Sequence, residues 1–250
     1  EEIKTVFNQA FEFKKNRTNR PTNDLYGQSW GMLFYKNSTR TRVSFEVGIR
    51  ELGGNPVLLD LSSTQIGRGE SVEDTAKVLS RFLDGLIIRT HGHELIKEFA
   101  QYADIPVINA LTDFLHPCQI YADCMTILEK TTGTHNPYDG LKGKKLAFFG
   151  DTSCNMANSW ILAGALWGMD ICLSGPEEFK PAPEIKNYCE KAGLNPNWNF
   201  TTDREEAASE ADILYTDVWV SMGCENEETH RKEKMANYRV TSDLFKLAKD

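Results

Sequence analysis

The chain has 250 residues and a formal net charge of -8, with 40% hydrophobic and 26% charged residues. This balance excludes an intrinsically disordered chain, and the negative charge argues against general binding to nucleic acid or to anionic membranes. At about 100–200 residues per domain, the length predicts two domains. No apolar run approaches the roughly 20 residues that span a bilayer. The start, Glu1 to Lys4, is not a basic segment followed by an apolar one, so we expect no secretory signal.

The first half of the chain alternates apolar strands with amphipathic helices. Segments whose apolar residues lie three or four apart, such as Val43 and Val47, indicate helices. They alternate with short apolar runs that indicate strands, such as W-G-M-L-F-Y from Trp30 to Tyr35. This alternation is typical of a parallel sheet covered on both faces. In chain order we predict a helix over 1–16, a strand over 30–35, a helix over 39–52, a strand over 55–61, a helix over 71–83, a strand over 85–89, a helix over 94–102, a strand over 106–111 and a helix over 117–129.

A second alternation follows a polar stretch, rich in glycine and threonine, at 131–143. Such a stretch is typical of a domain boundary, so we predict domains over 1–133 and 134–250. The fold class expected is α/β, with two doubly wound domains built on parallel sheets. The charged segment 225–234 is predicted to be solvated. The further predicted elements are a strand over 145–149, a helix over 155–167, a strand over 170–174, a helix over 184–192 and a strand over 212–216.

The cysteines predict reduced thiols and no disulfide or zinc framework. None belongs to a C-x-x-C pair, and their spacings match neither kind of site. Reduced, mostly buried thiols indicate a cytosol-like compartment, so we expect a cytoplasmic protein. His91 and His93 lie two apart in a polar loop without further ligands, so we predict no metal site. The six cysteines are Cys118, Cys124, Cys154, Cys172, Cys189 and Cys224.

The segment S-T-R-T-R, from Ser38 to Arg42, lies where a predicted buried strand passes into a helix. The carboxyl end of a parallel strand is where ligands bind in such folds, and a helix N-terminus offers unpaired N–H groups to an anion. Hydroxyl and guanidinium groups add donors suited to phosphate. A phosphate site and an ordinary helix cap with solvated arginines explain this local pattern equally well.

The same segment belongs to a longer pattern. F-x-x-x-S-T-R-T-R-x-S-F-E, from Phe34 to Glu46, resembles the carbamoyl-phosphate motif of the aspartate/ornithine carbamoyltransferase family. H-P-C-Q, from His116 to Gln119, resembles the family's H-P-x-Q motif. S-T-Q-I-G, from Ser63 to Gly67, resembles a loop of the ornithine-using members. Arg89, at the end of a predicted strand, matches the family arginine that contacts the carbamoyl group. The four matches occur in the family's order.

The resemblance implies roles for these residues toward carbamoyl phosphate. Thr41, Arg89 and His116 face the carbonyl oxygen, and Gln119 lies near the carbamoyl amine. Donors aligned on that oxygen stabilise the negative charge that grows as an amine attacks the carbon. Arg89, His116 and Gln119 are therefore the implied catalytic residues. The phosphate is held by Ser38, Thr39, Arg40 and Thr41.

Gln65 has a different implied role. In the family its loop reaches into the active site of a neighbouring subunit and contacts carbamoyl phosphate. The resemblance therefore implies a homotrimer whose subunits share their sites. A mobile surface loop is the alternative interpretation, and the two are compatible because such loops order on substrate.

The C-terminal half is predicted to bind the acceptor amine. D-V-W-V-S-M-G, from Asp217 to Gly223, resembles the D-x-W-x-S-M-G loop of the ornithine-using members. The resemblance implies that Asp217 binds the α-ammonium group, while Ser221 and the Met222 backbone help to bind the α-carboxylate. Asn155 matches an asparagine that binds ornithine in the family. Cys154 departs from the family pattern, which often has a second asparagine there.

The family resemblance implies transfer of the carbamoyl group of carbamoyl phosphate to the δ-amine of L-ornithine, giving L-citrulline and phosphate. It implies no metal and no organic cofactor. The ornithine-using members carry an H-C-L-P motif that this chain lacks, so we expect a truncated C-terminal fold, weak or absent turnover, and retained phosphate binding. Two alternatives stay open: transfer to another amine such as putrescine, and a non-catalytic phosphate-binding module.

Overall fold

The structure, a computed structural model, describes residues 2–19, 22–60, 69–220 and 225–249. The chain divides into two compact units. We call residues 9–118 the first unit, and residues 119–249 together with 2–8 the second unit. Each contains a four-stranded parallel sheet, which confirms the predicted fold class. The domain boundary placed at 133/134 from the sequence stays a prediction.

The sheet of the first unit has the strand order β2-β1-β3-β4. The chain thus enters at a central strand, extends the sheet on one side, and returns to extend it on the other. The strands are β1 (Ser29–Phe34), β2 (Asn55–Asp60), β3 (Gly85–Arg89) and β4 (Val107–Leu111). The helices within this unit are α2 (Arg40–Glu51), α3 (Val72–Leu79) and α4 (His93–Tyr102). Two helices contain the points where the chain passes between units, α1 (Glu2–Lys15) and α5 (Pro117–Thr131).

Alternate residues of the central strands supply a core on each face of this sheet, as the period of two along a strand requires. Leu33 and Ile88 pack with Phe99 of α4 on one face. Their neighbours Met32 and Ile87 pack on the opposite face, in a cluster that includes a residue of α2. All five residues of β3 are buried, which explains its unbroken apolar run up to the terminal arginine.

Helix α2 ends where the sequence predicts. Its last helical residue is Glu51, and Gly53 takes a φ of 84°. A residue with a Cβ rarely adopts this left-handed conformation, so glycine stops the helix at low cost. The N–H of Gly54 then bonds to the carbonyl oxygen of Ile49 at 2.9 Å. The turn directs the chain into β2.

The second unit repeats the arrangement with the strand order β7-β6-β5-β8, again all parallel. The strands are β5 (Lys145–Phe149), β6 (Asp170–Ser174), β7 (Trp198–Thr201) and β8 (Ile213–Thr216). The helices are α6 (Pro137–Gly140), α7 (Asn155–Trp167), α8 (Pro183–Lys191), α9 (Arg204–Ala208), α10 (Glu228–Met235) and α11 (Ser242–Phe245), with short 3-10 turns at Glu177–Phe179, Glu225–Glu227 and Ala236–Tyr238.

Helix α7 is the buried centre of the second unit. Trp160 and Trp167 are among the largest fully buried side chains and belong to its core. Trp167 also meets Phe7 of α1 edge-on, with ring centroids 5.9 Å apart. The apolar character of α7 on most of its faces fits a helix enclosed by its neighbours.

Two segments of the second unit contain structure that the sequence did not predict. The charged stretch is exposed at 226–230 and 232–234, in agreement with its predicted solvation, but it also forms most of α10 and buries the side chain of Arg231. The polar stretch 131–143 contains α6, whose Pro137 and Gly140 are buried. Strand β7 was not predicted, because four residues at a sheet edge carry too short a pattern. Within the described ranges, no helix combines the length and apolar character that crossing a membrane requires.

The core of the first unit yields a stability prediction. Phe99 is fully buried, whereas Phe82 is 75% exposed. We expect Phe99→Ala to lower the free energy of unfolding by about 3–5 kcal/mol, because a cavity adds to the lost transfer free energy. Phe82→Ala, the matched control, should change it by less than about 1 kcal/mol. Urea denaturation followed by circular dichroism measures both; equal losses would contradict this account of the core.

Candidate functional site

The predicted anion-binding segment of the first unit lies at the point where the strand order reverses. β1 pairs with β2 on one side and with β3 on the other, so α2 starts beside the carboxyl ends of β1 and β3. Ligands in doubly wound sheets bind in the crevice at such a point. Thr39 is the N-cap of α2, and its side chain makes no capping hydrogen bond. Ser38 is half-buried and Arg40 is exposed.

Arg89 is the buried cation of this site. It is the last residue of β3, is 7% exposed, and donates through Nη1 to Oγ1 of Thr41 at 3.2 Å. Burial, and then the positive charge of Arg40, lower the pKa of Arg89. Its Nε has no hydrogen-bond partner among the described residues. A buried donor without a partner costs about 1–3 kcal/mol, so this guanidinium favours an acceptor or anion as ligand.

His116 lies immediately before α5, and the positive charge of Arg89 acts on its imidazole. Burial, and then the charge of Arg89, lower the pKa of His116 from 6.5 to about 4. Its imidazole is therefore neutral at pH 7, with one ring nitrogen carrying hydrogen and the other accepting. A neutral ring can donate to a carbonyl oxygen without adding a second full charge beside Arg89.

A cavity of about 130 Å³ opens beside the S-T-R-T-R segment. Lys36, which the sequence analysis did not single out, lies in its wall and is 9% exposed. Its Nζ pairs with a carboxylate oxygen of Asp113. The only sequence signal for Lys36 is its position two residues before Ser38. The wall is formed by Phe34, Lys36, Asn37, Ser38, Arg42, Leu58 and Leu59.

In the second unit the structure joins Gln119 to residues that the sequence analysis missed. Gln119 Nε2 donates to Oδ1 of Asp123 at 2.9 Å, and the hydroxyl of Tyr215 donates to Oδ2 of Asp123 at 2.8 Å. Burial raises the pKa of Asp123. The two hydrogen bonds lower this pKa by a smaller amount, and the negative charge of Asp217 raises it further. Asp123 follows Gln119 by four residues, which is the one local signal that could have indicated the pair.

The strand order of the second sheet also reverses at its site. β5 lies between β6 and β8, so the turn after β5 and the residue after β8 share one edge. Asn155 begins α7 in that turn, and Asp217 follows β8 directly. Burial raises the pKa of the Cys154 thiol to about 12, and the negative charges of Asp151 and Asp217 contribute to this increase. The thiol is therefore protonated at neutral pH, and the electrostatic character of this edge is acidic.

The turn after β5 is held by a buried ion pair. Asp151 Oδ2 accepts from Nη1 of Arg231 at 2.7 Å, and Oδ1 of Asp151 accepts from the backbone N–H of Ser153 at 3.0 Å. The guanidinium of Arg231 also lies 4.8 Å from the ring centroid of Phe179. Gly150 has a φ of 117°, and a Cβ there would lie 3.1 Å from the indole of Trp219. The turn therefore needs glycine at this position.

Three predicted site residues, Gln65, Ser221 and Met222, lie outside the described residues. The structure brings together Thr41, Arg89 and His116 with Arg40 in the first unit, and Gln119 with Asp123 and Tyr215 in the second. Among the described residues, no group of three or more histidine, cysteine, aspartate or glutamate side chains could hold a metal ion.

Comparison of sequences identifies the relatives of this chain. The family model for the aspartate/ornithine carbamoyltransferase carbamoyl-phosphate-binding domain matches residues 1–129. The model for the aspartate/ornithine-binding domain matches residues 142–250. An ornithine carbamoyltransferase of Methanoculleus marisnigri is 43% identical over 248 residues, covering 99% of this chain and 77% of the relative. The ornithine carbamoyltransferase of Halalkalibacterium halodurans is 46% identical over 252 residues, covering 100% of this chain and 76% of the relative.

Solved structures agree with the sequence comparison. The ornithine carbamoyltransferase of Pyrococcus furiosus superposes with a TM-score of 0.87 at 40% identity, covering 99% of this chain and 78% of that one. The anabolic ornithine carbamoyltransferase of Campylobacter jejuni superposes with a TM-score of 0.85 at 36% identity, covering 100% and 79%. The likeness therefore extends across both units and all the described strands.

The pKa of His116 can be measured directly. We expect its NMR signal, identified by its loss in His116→Gln, to keep the neutral chemical shift until the pH approaches about 4. Because the folded pKa lies below the unfolded value, neutral His116 stabilises the fold above pH 6.5, and this contribution is lost as the pH falls through about 4. His116→Gln should lack that part of the acid sensitivity. A midpoint near 6.5 for this signal would contradict the assigned environment.

Proposed function

Because this chain belongs to the aspartate/ornithine carbamoyltransferase family, we propose that it transfers the carbamoyl group of carbamoyl phosphate to the δ-amine of L-ornithine, giving L-citrulline and phosphate. The observation that carries the proposal is the buried guanidinium of Arg89, hydrogen-bonded to Thr41 beside the start of α2. Ornithine is the acceptor named for the relatives that match the whole chain.

The phosphate of the first substrate is assigned to the start of α2. Ser38, Thr39 and Thr41 offer hydroxyl donors, and Arg40 offers an exposed guanidinium at the first helical residue. The unpaired N–H groups of the helix N-terminus and its positive dipole end add to the attraction for an anion. Because the overall charge of the chain is negative, an anion is bound only where several donors and positive charges lie together, as they do here.

The carbonyl group is assigned to Thr41, Arg89 and His116. As the neutral δ-amine attacks the carbonyl carbon, the C=O electrons move to oxygen, and donors placed there stabilise the developing charge. The tetrahedral centre collapses as the C=O bond re-forms and the C–O bond to phosphate breaks, and the attacking nitrogen passes a proton to the departing phosphate. Neutral His116 can donate a hydrogen bond throughout this sequence, because its pKa of about 4 keeps it unprotonated at pH 7.

The acceptor is assigned to the acidic edge of the second sheet. Asp217 is half-buried, and its charge acts on Asp123 and, together with that of Asp151, on the Cys154 thiol. A carboxylate there suits the α-ammonium group of ornithine, and putrescine lacks the neighbouring α-carboxylate. Asn155 at the start of α7, together with Ser221 and Met222, is proposed to bind that carboxylate.

The wider setting is also part of the proposal. We propose a cytoplasmic homotrimer in which Gln65 completes the carbamoyl-phosphate site of a neighbouring subunit. The support is the S-T-Q-I-G pattern at residues 63–67. No metal or organic cofactor is required, since alignment of the reactants and of the charged donors supplies the catalysis.

Affinity for carbamoyl phosphate tests the first-unit assignment. We expect Arg40→Ala to weaken binding about 10- to 100-fold, because a hydrogen bond to a charged group contributes about 1.5–3 kcal/mol. Arg50→Ala is the matched control, since Arg50 is an exposed arginine of the same helix that pairs with Glu46. Isothermal titration calorimetry measures both. Unchanged affinity in Arg40→Ala would remove the basis of the phosphate assignment.

The acceptor is tested by citrulline formation with ornithine and putrescine as competing amines. We expect a preference for ornithine of at least about 100-fold in kcat/KM, falling by about 10-fold or more in Asp217→Asn as the charged partner of the α-ammonium is lost. The rate should rise with pH, because a free amine of this kind has a pKa of about 10.4. Binding of carbamoyl phosphate without consumption of either amine would favour the non-catalytic phosphate-binding alternative.

A further inference from the structure

The carbamoyl group of the proposed substrate ends in an NH2 that can only donate hydrogen bonds. A glutamine side chain facing it can present either a carbonyl oxygen, which accepts, or an NH2, which repels. The two ends of the amide have nearly the same shape, so packing alone does not choose between them. What fixes the end that Gln119 presents is therefore a question of hydrogen bonding.

The structure places one acceptor against Gln119. Its Nε2 donates to Oδ1 of Asp123 at 2.9 Å. The two residues lie four apart on one face of α5, a spacing at which glutamine and aspartate side chains meet. An ionised carboxylate has no hydrogen to donate, so it binds only the NH2 end of the glutamine amide. The carbonyl Oε1 must then point away from Asp123.

Asp123 is itself held from a second element. The hydroxyl of Tyr215, in β8, donates to Oδ2 of Asp123 at 2.8 Å. The ring of Tyr215 stacks on Phe148 with centroids 5.6 Å apart, and meets Trp160 edge-on at 5.2 Å. This aromatic packing fixes the hydroxyl, the hydroxyl fixes the carboxylate, and the carboxylate selects one orientation of the Gln119 amide.

We propose that Asp123, held by Tyr215, is a positioning residue that makes Gln119 present its carbonyl oxygen to the carbamoyl NH2, and so selects carbamoyl phosphate over acyl phosphates that lack this NH2. The inference rests on the proposed function, because it assigns Gln119 to the carbamoyl amine. A site built to bond a donor discriminates strongly against a ligand without it, since its acceptor is left unpaired.

Acetyl phosphate is the probe for this selectivity, because a methyl group replaces the NH2 at nearly constant shape. Isothermal titration with each compound needs no turnover. We expect the wild-type chain to prefer carbamoyl phosphate by about 10-fold or more, and Asp123→Ala to reduce the preference to below about 3-fold. Glu129→Gln, on an exposed position of the same helix, is the control and should keep the wild-type ratio.

Asp123→Asn separates positioning from a structural role. The amide that this variant introduces has a single acceptor oxygen, which can accept the hydrogen bond from the Tyr215 hydroxyl. Its NH2 group then faces Gln119, so the Gln119 amide must rotate to present its oxygen to that NH2 group. The preference for carbamoyl phosphate should fall at least as far as in Asp123→Ala. Adding Tyr215→Phe frees that oxygen for Gln119 and should restore part of the preference. A structural role predicts instead that the double variant is worse than the single one.

The outcomes separate this inference from the function on which it rests. In a Gln119→Ala background, Asp123→Ala should cause no further loss of preference, because its effect acts through Gln119. Equal loss of affinity for both phosphates in the Asp123 variants, or additive losses with Gln119→Ala, would overturn the positioning role and leave the transferase proposal intact. Failure of the wild-type chain to bind carbamoyl phosphate would overturn both.

Discussion

The hydrogen bond from buried Arg89 to Thr41 is the interaction on which the first unit's site depends. A guanidinium that is 7% exposed is costly unless its donors find acceptors, and here one donor is met by a hydroxyl of α2. The pairing follows from topology, since β1 and β3 are neighbours and end at the same edge. Parallel register thus brings residues 48 positions apart within 3.2 Å of each other.

The second unit uses the same topology with the opposite charge. Its edge collects carboxylates, since Asp151 and Asp217 both act on the Cys154 thiol in the turn after β5, and Asp217 also acts on Asp123. Cationic groups in one unit suit an anionic phosphate, and carboxylates in the other suit the ammonium group of an amino acid. Two copies of one sheet arrangement can therefore serve two substrates, because the residues that follow the strands are free to differ.

The sequence predicted the features that are local, and missed those that are not. Continuous apolar runs indicate strands such as Gly85–Arg89, and a short contiguous motif indicates the start of α2. The bond between Tyr215 and Asp123 joins residues 92 positions apart, so no periodicity indicates it. Helix α10 was missed for another reason: its charged composition suggests full solvation, while tertiary contacts bury Arg231.

The pair between Arg231 and Asp151 shows how far the proposed acceptor site depends on such distant contacts. The residues are 80 positions apart, and their side chains are 11% and 5% exposed. Removing one partner of a buried pair leaves an uncompensated charge, at a cost of about 3–5 kcal/mol. Because Asp151 also accepts from the N–H of Ser153, the same carboxylate shapes the turn that leads into Asn155. The geometry of a residue assigned to the substrate is thus set by a helix that no local pattern connects to it.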